Sequence, residues 1–273
     1  MEHAGRTGGL PFVGVGWYRT EFDVPQFQAG KRATILFDGA MSHANVYING
    51  QKVGYWPYGY NSFHFDITKY LKPGEKNTLA VRLENLPESS RWYPGAGLYR
   101  NVHLIVTEDA YIPVWGTYIT TPSVNEKFAK VNVLTKVVLP EGADPAKYSV
   151  ETSVWNPNKQ KLTAVRTSLA QMKYNNDQAE QEFVIQDPSL WSPEMPALYS
   201  AETRLYEGDK LKDVYTTPFG IRSIEIIPDK GFFLNGKRTV FKGVCNHHDL
   251  GPLGAAVNDA AIRRQIRILK DMG

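Results

Sequence analysis

Two adjacent histidines and an aspartate lie near the end of the sequence, in the segment GVCNHHDLGPLG at residues 243–254. Successive side chains of a strand point to opposite faces, so Cys245, His247 and Asp249 would share one face and His248 would lie on the other. Zinc accepts three such donors, but the two histidines do not converge and no fourth ligand is evident. The pattern therefore favours either a polar substrate site or one hydrogen-bonded and one solvated histidine over a metal site.

The elements around this cluster indicate a βα unit. A hairpin around Asn235-Gly236 is followed by VFKGVCNHHD, predicted as a strand, and by NDAAIRRQIRILKDMG, the one clear helical pattern. Asn258 can cap the helix, Asp259 favours its first turn, and Gly273 suits the position after its end. An apolar stripe is formed by Ile262, Ile266 and Leu269. Polar residues at the C-terminal end of a parallel barrel strand tend to belong to an active site.

A second candidate cluster is SSRWYPGAGLYRNV, at residues 89–102. Its proline and glycines predict a tight loop directly after Arg91 and Trp92. One interpretation is a rigid connection with Trp92 in the core; the other is a sugar platform, with the ring against a pyranose face and Arg91 bound to hydroxyl groups. Packing is favoured here, and also for the aromatic segment YWPYGYN at residues 55–61, because aromatic residues are more often core than ligand contacts.

The first 220 residues read as β-structure almost throughout. Asn49-Gly50 stands between two strand-like runs and predicts a hairpin, because both turn positions need positive φ. In NSFHFDITKYL, Phe63, Phe65 and Ile67 alternate with polar residues, which predicts one buried and one solvated face. Many short strands with regular turn signals indicate a sandwich or jelly roll. From about residue 109 a second set of strands suits an immunoglobulin-like sandwich without its disulfide.

Composition excludes several classes of protein. The 273 residues carry a net charge of +3 with scattered Lys and Arg, which argues against nucleic acid. No segment approaches the ~20 apolar residues of a membrane span, and the start shows no signal peptide. That start is weak evidence for a cytoplasmic location and leaves a periplasmic or secreted one open. The single cysteine excludes an intrachain disulfide, and no cofactor is evident.

Several segments, in order, resemble glycoside hydrolase family 2. They are GWYRTEFDVP, VYINGQKVG, FDIT, SSRWYPGAGLYRNVHL, LWSPEMPALY, FGIRSIEI, FFLNGKRTVFKGVCNHHDLGPLGAAVN and LKDMG. The resemblance covers the chain from Gly16 onward, and GVCNHHDLGPLGAAVN is most similar to β-galactosidases. It implies a mainly β chain: a jelly-roll sugar-binding domain at residues 1–108, an immunoglobulin-like β-sandwich at 109–219, and the first β-strand and α-helix of a truncated (β/α)8 barrel at 220–273.

The resemblance also implies site residues. It implies that His247 faces the sugar in the −1 subsite and hydrogen-bonds its hydroxyl groups, and that a loop of the first domain reaches the barrel mouth. The further substrate-binding candidates that it implies are Asn246, His248, Asp249, Ser90, Arg91 and Trp92. The partner is then a β-galactoside or a related sugar. The dependence of the full enzyme on a divalent cation or sodium stays open.

No catalytic residue is assigned within this chain. Retaining hydrolysis needs two carboxylates about 5–5.5 Å apart, and the family's two glutamates are expected downstream of Gly273. We therefore expect the chain alone to be inactive. Two alternatives remain: a non-catalytic carbohydrate-binding β-sandwich protein, and a family member of the β-glucuronidase or β-mannosidase type. A purely structural fragment, with the helical stripe pairing two copies in a homo-oligomer, is a third.

Overall fold

The computed structural model of the chain describes residues 14–24, 26, 30–86, 96–171, 177–246, 250, 255–256 and 258–273. Its contacts divide the chain into two units. One comprises residues 1–106 and 242–273, and the other comprises residues 107–241. The domain boundaries expected at 108/109 and 219/220 remain predictions.

The first unit contains a sandwich of two antiparallel sheets. Its strands are β1 Gly14–Asp23, β2 Arg32–Phe37, β3 Ala44–Ile48, β4 Gln51–Trp56, β5 Phe63–Asp66, β6 Lys76–Asn85 and β7 Val102–Thr107, with a 3-10 turn at Thr68–Tyr70. One sheet has the strand order β1-β6-β3-β4 and the other has β5-β2-β7. This is the predicted jelly-roll sandwich.

Alternating side chains of both sheets fill one shared core. Val46 on β3 and Val81 on β6 meet Ile35 on β2 and Phe63 on β5, and each is nearly or fully buried. Phe63 also stacks on the ring of Phe37, with 4.8 Å between centroids. Because the inner face takes every second residue, the polar residues between them are directed to the outer faces.

The predicted hairpins form where the sequence places them. Asn49 and Gly50 have φ of 50° and 80°, and Asn235 and Gly236 have φ of 50° and 74°. Positive φ at both central residues is the geometry of a type I′ turn, whose twist matches that of the flanking strands. The first of these turns joins β3 directly to β4.

The second unit is a seven-stranded immunoglobulin-like sandwich followed by a small sheet. The sandwich strands are β8 Thr117–Val124, β9 Phe128–Lys136, β10 Tyr148–Trp155, β11 Lys161–Ser168, β12 Gln178–Gln186, β13 Tyr199–Glu207 and β14 Lys210–Phe219, with 3-10 turns at Pro145–Lys147 and Leu169–Gln171. They form sheets in the orders β12-β9-β8 and β11-β10-β13-β14. The proline-punctuated segment 187–198 forms no strand among the described residues, as predicted.

Near the C-terminus, the structure contains the predicted helix but not the strand predicted before it. β15 Ile224–Ile227, β16 Gly231–Leu234 and β17 Lys237–Arg238 form a three-stranded sheet, and α1 spans Asp259–Asp271. The Asn258 side chain accepts a hydrogen bond from the amide of Ala261, and Gly273 has φ of 85°. The strand predicted at VFKGVCNHHD is wrong for its described residues 240–246, which form no strand. A parallel barrel strand needs hydrogen-bonding neighbours, and no described strand pairs with this segment.

An ion-pair cluster ties the start of the second unit to β14. The Lys212 ammonium lies 2.6 Å from a carboxylate oxygen of Asp109 and 3.5 Å from one of Glu207, and its side chain is 6% exposed. Tyr148 donates a hydrogen bond to Glu207 at 3.2 Å. The hydrogen bond from Lys212 lowers the pKa of Asp109, and the same bond raises the pKa of Lys212.

Replacing this lysine should destabilise the second unit in a pH-dependent way. We expect Lys212→Met to lower the free energy of unfolding at pH 7 by about 1–2 kcal/mol. This is less than the loss expected when a fully buried ion pair is broken, because both carboxylates are partly exposed to solvent. The lowered pKa of Asp109 gives stability that is present above about pH 4 and lost as the pH falls through its folded pKa. The raised pKa of Lys212 gives stability that is lost only as the pH rises through its own folded pKa.

Urea unfolding at pH 7 and at pH 3 checks this prediction. The difference between wild type and Lys212→Met should shrink at the lower pH. Lys210→Met, on the exposed start of the same strand, is the control and should change stability by less than about 0.5 kcal/mol. Equal losses in the two variants would contradict the prediction.

Candidate functional site

The sequence-predicted site residues fall mostly outside the part of the chain that the structure describes. Asn246 is described: it is exposed and lies in a segment without regular structure. His247, His248 and Asp249, and likewise Ser90, Arg91 and Trp92, lie outside the described residues. Their roles therefore stay predictions.

One end of the first sandwich is held by a pair of backbone hydrogen bonds. The amide of Met41 donates to the carbonyl of Gly97, and the amide of Gly97 donates to the carbonyl of Met41, each at 3.0 Å. Ser42 reinforces the same end, because its hydroxyl donates to the carbonyl of Glu84 at 3.0 Å. Glu84, before the predicted 89–102 cluster, and Gly97, within it, are thus both joined to the segment before β3.

Gly97 is required by this arrangement for two reasons. Its φ of 86° lies in the left-handed region, which residues other than glycine rarely adopt. A Cβ atom at this position would also overlap the hydroxyl of Tyr18 on β1. The close approach of strand β1 to residue 97 therefore depends on the missing side chain.

Three tyrosines surround the same end. The buried Tyr99 donates a hydrogen bond from its hydroxyl to the carbonyl of Gly59 at 2.8 Å. That bond fixes the segment carrying Tyr58 and Tyr60, whose rings lie edge to face with 5.6 Å between centroids. Tyr58 is 53% exposed and Tyr60 is 40% exposed. Burial raises the pKa of Tyr60 and of Tyr99.

The aromatic segment at residues 55–61 is therefore divided between packing and exposure. Trp56 packs in the core, with its ring stacked on Phe63 at 5.6 Å between centroids. Its indole Nε1 is buried and has no hydrogen-bond partner among the described residues. Packing in the core accounts for Trp56, whereas Tyr55, Tyr58 and Tyr60 are exposed. The sequence gives no signal for this, because a run of aromatics does not show which rings the core has room for.

The second unit contains a cavity of about 610 Å³ near the end of β14. It is lined by Ile119, Thr120, Thr121, Leu198, Pro218, Phe219, Gly220, Arg222 and Ile224. No carboxylate is among these lining residues. The guanidinium of Arg222 also lies over the ring of Trp191, 5.4 Å from its centroid. Its polar lining groups are Thr120, Thr121 and Arg222, so it offers none of the carboxyl groups that glycoside hydrolysis requires.

Three carboxyl groups of the second unit, those of Asp109, Glu207 and Asp213, serve structural roles. Asp109 and Glu207 converge, but on the ammonium of Lys212, which lowers the pKa of Asp109 rather than raising it as a general acid requires. Asp213 does have a raised pKa, caused by burial, yet its two oxygens accept the backbone amides of Ile112 and Val214. No group of three potential metal ligands occurs among the described residues. Nor is any described helix long and apolar enough to cross a membrane.

The contact between Gly97 and Tyr18 can be tested with a matched glycine. Gly142 has a similar φ of 75° but open space around a Cβ position. We expect Gly97→Ala to lower the free energy of unfolding by about 1–2 kcal/mol more than Gly142→Ala does, because overpacking adds to the shared backbone strain. Adding Tyr18→Phe to Gly97→Ala should recover part of the loss. Chemical denaturation measures all of these, and equal losses at the two glycines would refute the close contact.

Comparison with known proteins follows the same division of the chain. The profile described as "Glycosyl hydrolases family 2, sugar binding domain" matches residues 11–108. The profile described as "Glycosyl hydrolases family 2" matches residues 111–222. The two matches are consecutive and together cover most of the chain.

Individual relatives extend the likeness to nearly the whole chain. The β-galactosidase BoGH2A of Bacteroides ovatus is 44% identical, covering 100% of this chain and 32% of its own length. A β-glucuronidase of Bacteroides fragilis is 33% identical, covering 95% of this chain and 39% of its own length. A crystal structure of a family 2 member from Bacteroides cellulosilyticus is 35% identical with a TM-score of 0.89, covering 98% of this chain and 34% of that one. The chain thus spans about a third of the length of these proteins, and it belongs to glycoside hydrolase family 2.

Proposed function

We propose that this chain is the N-terminal part of a retaining exo-β-glycosidase that removes terminal β-galactosides. The observation that carries the substrate class is the 44% identity to a β-galactosidase over the entire chain. The sequence of the segment GVCNHHDLGPLGAAVN, which is most similar to that of β-galactosidases, supports the same substrate. In the complete enzyme, two glutamates outside these 273 residues would act as acid/base and nucleophile.

The proposed substrate contacts follow from the family resemblance. His247 would hydrogen-bond hydroxyl groups of the sugar at the −1 subsite, with Asn246, His248 and Asp249 beside it. The loop with Ser90, Arg91 and Trp92 would reach from the first sandwich toward the same sugar. The paired backbone hydrogen bonds of Met41 and Gly97 support this proposal, because they give the described residues next to that loop a fixed base.

The chain alone would not hydrolyse glycosides. A retaining enzyme needs one carboxyl group with a raised pKa beside a second, ionised one. Asp109 and Glu207 instead converge on the ammonium of Lys212, and Asp213, whose pKa is raised by burial, already accepts two backbone amides. These observations support an inactive chain whose own contribution is binding.

A second candidate is a carbohydrate-binding protein without catalysis. The match of residues 11–108 to a sugar binding domain favours it. A β-glucuronidase relative at 33% identity keeps a glucuronide open as the sugar. The two functions differ in one measurable respect, which is turnover.

Hydrolysis of p-nitrophenyl β-galactoside by the purified 273-residue chain is the first test. We expect no turnover above the uncatalysed rate, with the intact mass confirmed in the same preparation. A turnover in the range of ordinary enzymes, about 1–10³ s⁻¹, would show that a carboxylate pair lies within the chain and would overturn the proposal.

The substrate class and the role of His247 are tested in the longer protein that contains this chain. It should hydrolyse p-nitrophenyl β-galactoside faster than the β-glucuronide, and His247→Ala should lower kcat/KM by about 100-fold, or ~2.7 kcal/mol. His64→Ala, at an exposed position of β5, is the matched control and should leave kcat/KM unchanged. Preference for the glucuronide would overturn the substrate, and an unchanged His247→Ala enzyme would overturn the site.

A further inference from the structure

The outer face of the four-stranded sheet in the first unit presents a row of side chains across all of its strands. Strand pairing places Trp17 of β1 opposite Arg82 of β6, Arg82 opposite Asn45 of β3, and Asn45 opposite Tyr55 of β4. Neighbouring residues such as Val46 point to the opposite, buried face. Three strand spacings separate the ends of the row, which places Trp17 about 14 Å from Tyr55.

Aromatic rings form the apolar part of this face. The rings of Trp17 and Tyr47 lie 5.6 Å apart between centroids, tilted by 38°, although their strands are separated by β6. Both rings must therefore lean over β6, where Ala80 is small and 8% exposed. Trp17 is 57% exposed and Tyr55 is 45% exposed, so each keeps a large part of its ring in water. Two exposed rings in contact and flanked by polar groups form a larger apolar patch than a single exposed ring does, and such patches mark binding surfaces.

Charged groups lie between the rings. Arg82 and Glu84 form an ion pair through Nη1 and Oε1, with side chains 28% and 29% exposed. The Arg82 hydrogen bond lowers the pKa of Glu84, with a smaller contribution from His43. His43 Nδ1 and the Tyr55 hydroxyl are hydrogen-bonded at 2.6 Å. A guanidinium has five N–H donors and a carboxylate about four acceptor sites, so this pair leaves several of each facing solvent.

We propose that this sheet face binds a glycan chain. The rings of Trp17, Tyr47 and Tyr55 would pack against the apolar C–H faces of sugar rings, and Arg82 and Glu84 would hydrogen-bond the hydroxyl groups between them. The separation of Trp17 from Tyr55 suits a short oligosaccharide better than a single sugar. This goes beyond the proposed hydrolysis, because it assigns the first sandwich a binding surface that works without turnover.

The partly exposed ion pair favours a glycan over a protein as the occupant. Glu is depleted in protein interfaces, and covering the Arg82–Glu84 ion pair with protein costs desolvation that such a pair does not always recover. Sugar hydroxyl groups both donate and accept hydrogen bonds, so they can replace the water around Arg82 and Glu84. The match of residues 11–108 to a sugar binding domain agrees with this choice.

Affinity electrophoresis of the 273-residue chain tests the proposal with four soluble polysaccharides: β-1,4-galactan, mixed-linkage β-glucan, xylan and galactomannan. We expect at least one to retard the wild-type chain. Trp17→Ala and Tyr55→Ala should each weaken that binding by about tenfold, or ~1.4 kcal/mol. Tyr55→Phe keeps the ring and loses only the bond to His43, so it should weaken binding less than Tyr55→Ala.

Matched controls come from exposed rings of the second unit. Trp115 is 56% exposed and Tyr118 is 67% exposed, close to the values for Trp17 and Tyr55. Trp115→Ala and Tyr118→Ala should leave binding unchanged. The thermal midpoint of each variant checks that all variants are compared at the same folded fraction. If Trp17→Ala does not fold, the comparison of Tyr55→Ala with Tyr55→Phe tests the proposal.

Several results would overturn the proposal. They are retardation by none of the four polysaccharides, unchanged binding in the Trp17 and Tyr55 variants, and equal loss in the Trp115 and Tyr118 controls. Self-association that disappears in Trp17→Ala without glycan binding would assign the face to a second copy of the chain instead. The readout is binding, so a failure of the proposed hydrolysis would leave this result unaffected.

Discussion

The register that places Arg82 opposite both Trp17 and Asn45 determines which side chains of the first sandwich are buried and which are exposed. Strand side chains alternate between two faces, so a slip of one residue would send Arg82 into the core and Val81 into water. The fully packed Val46 and Val81 make such a slip costly. The same hydrophobic core that stabilises the sandwich therefore fixes the order of rings and charges on its outer face.

The structure at the end of the sandwich depends on a different constraint, the close approach of tyrosine side chains to glycine backbone. Gly97 can meet Tyr18 because it lacks a side chain, and Gly59 lies within hydrogen-bonding reach of the Tyr99 hydroxyl. These contacts join strand ends to turns without help from sheet pairing. A loop that departs from such an end has a fixed starting point, which is what a substrate contact borne on a loop requires.

Local rules predicted much of this architecture. The hairpins at Asn49-Gly50 and Asn235-Gly236 and the cap at Asn258 depend on a few neighbouring residues, so the sequence contains all the information needed. The family resemblance predicted the order of the two sandwiches, and family membership is confirmed. Non-local features were harder to predict: the strand expected from residue 240, described as far as residue 246, needs neighbours that no described strand provides. The exposure of Tyr58 likewise depends on how the core fills, which periodicity does not specify. The roles of the predicted site residues stay predictions.

Two ion-pair clusters show how burial separates structure from binding. Lys212 is 6% exposed and its ammonium meets two carboxylates. Its ammonium is thus largely occupied within the protein, and little of it is accessible to a ligand. Arg82 meets one carboxylate and keeps 28% of its side chain in solvent. The Lys212 cluster joins Asp109, at the start of the second unit, to β14. The Arg82–Glu84 pair leaves hydrogen-bond donors and acceptors exposed on a surface that has aromatic rings at either end. The difference lies in geometry and exposure rather than residue type, so the sequence alone could not separate the two.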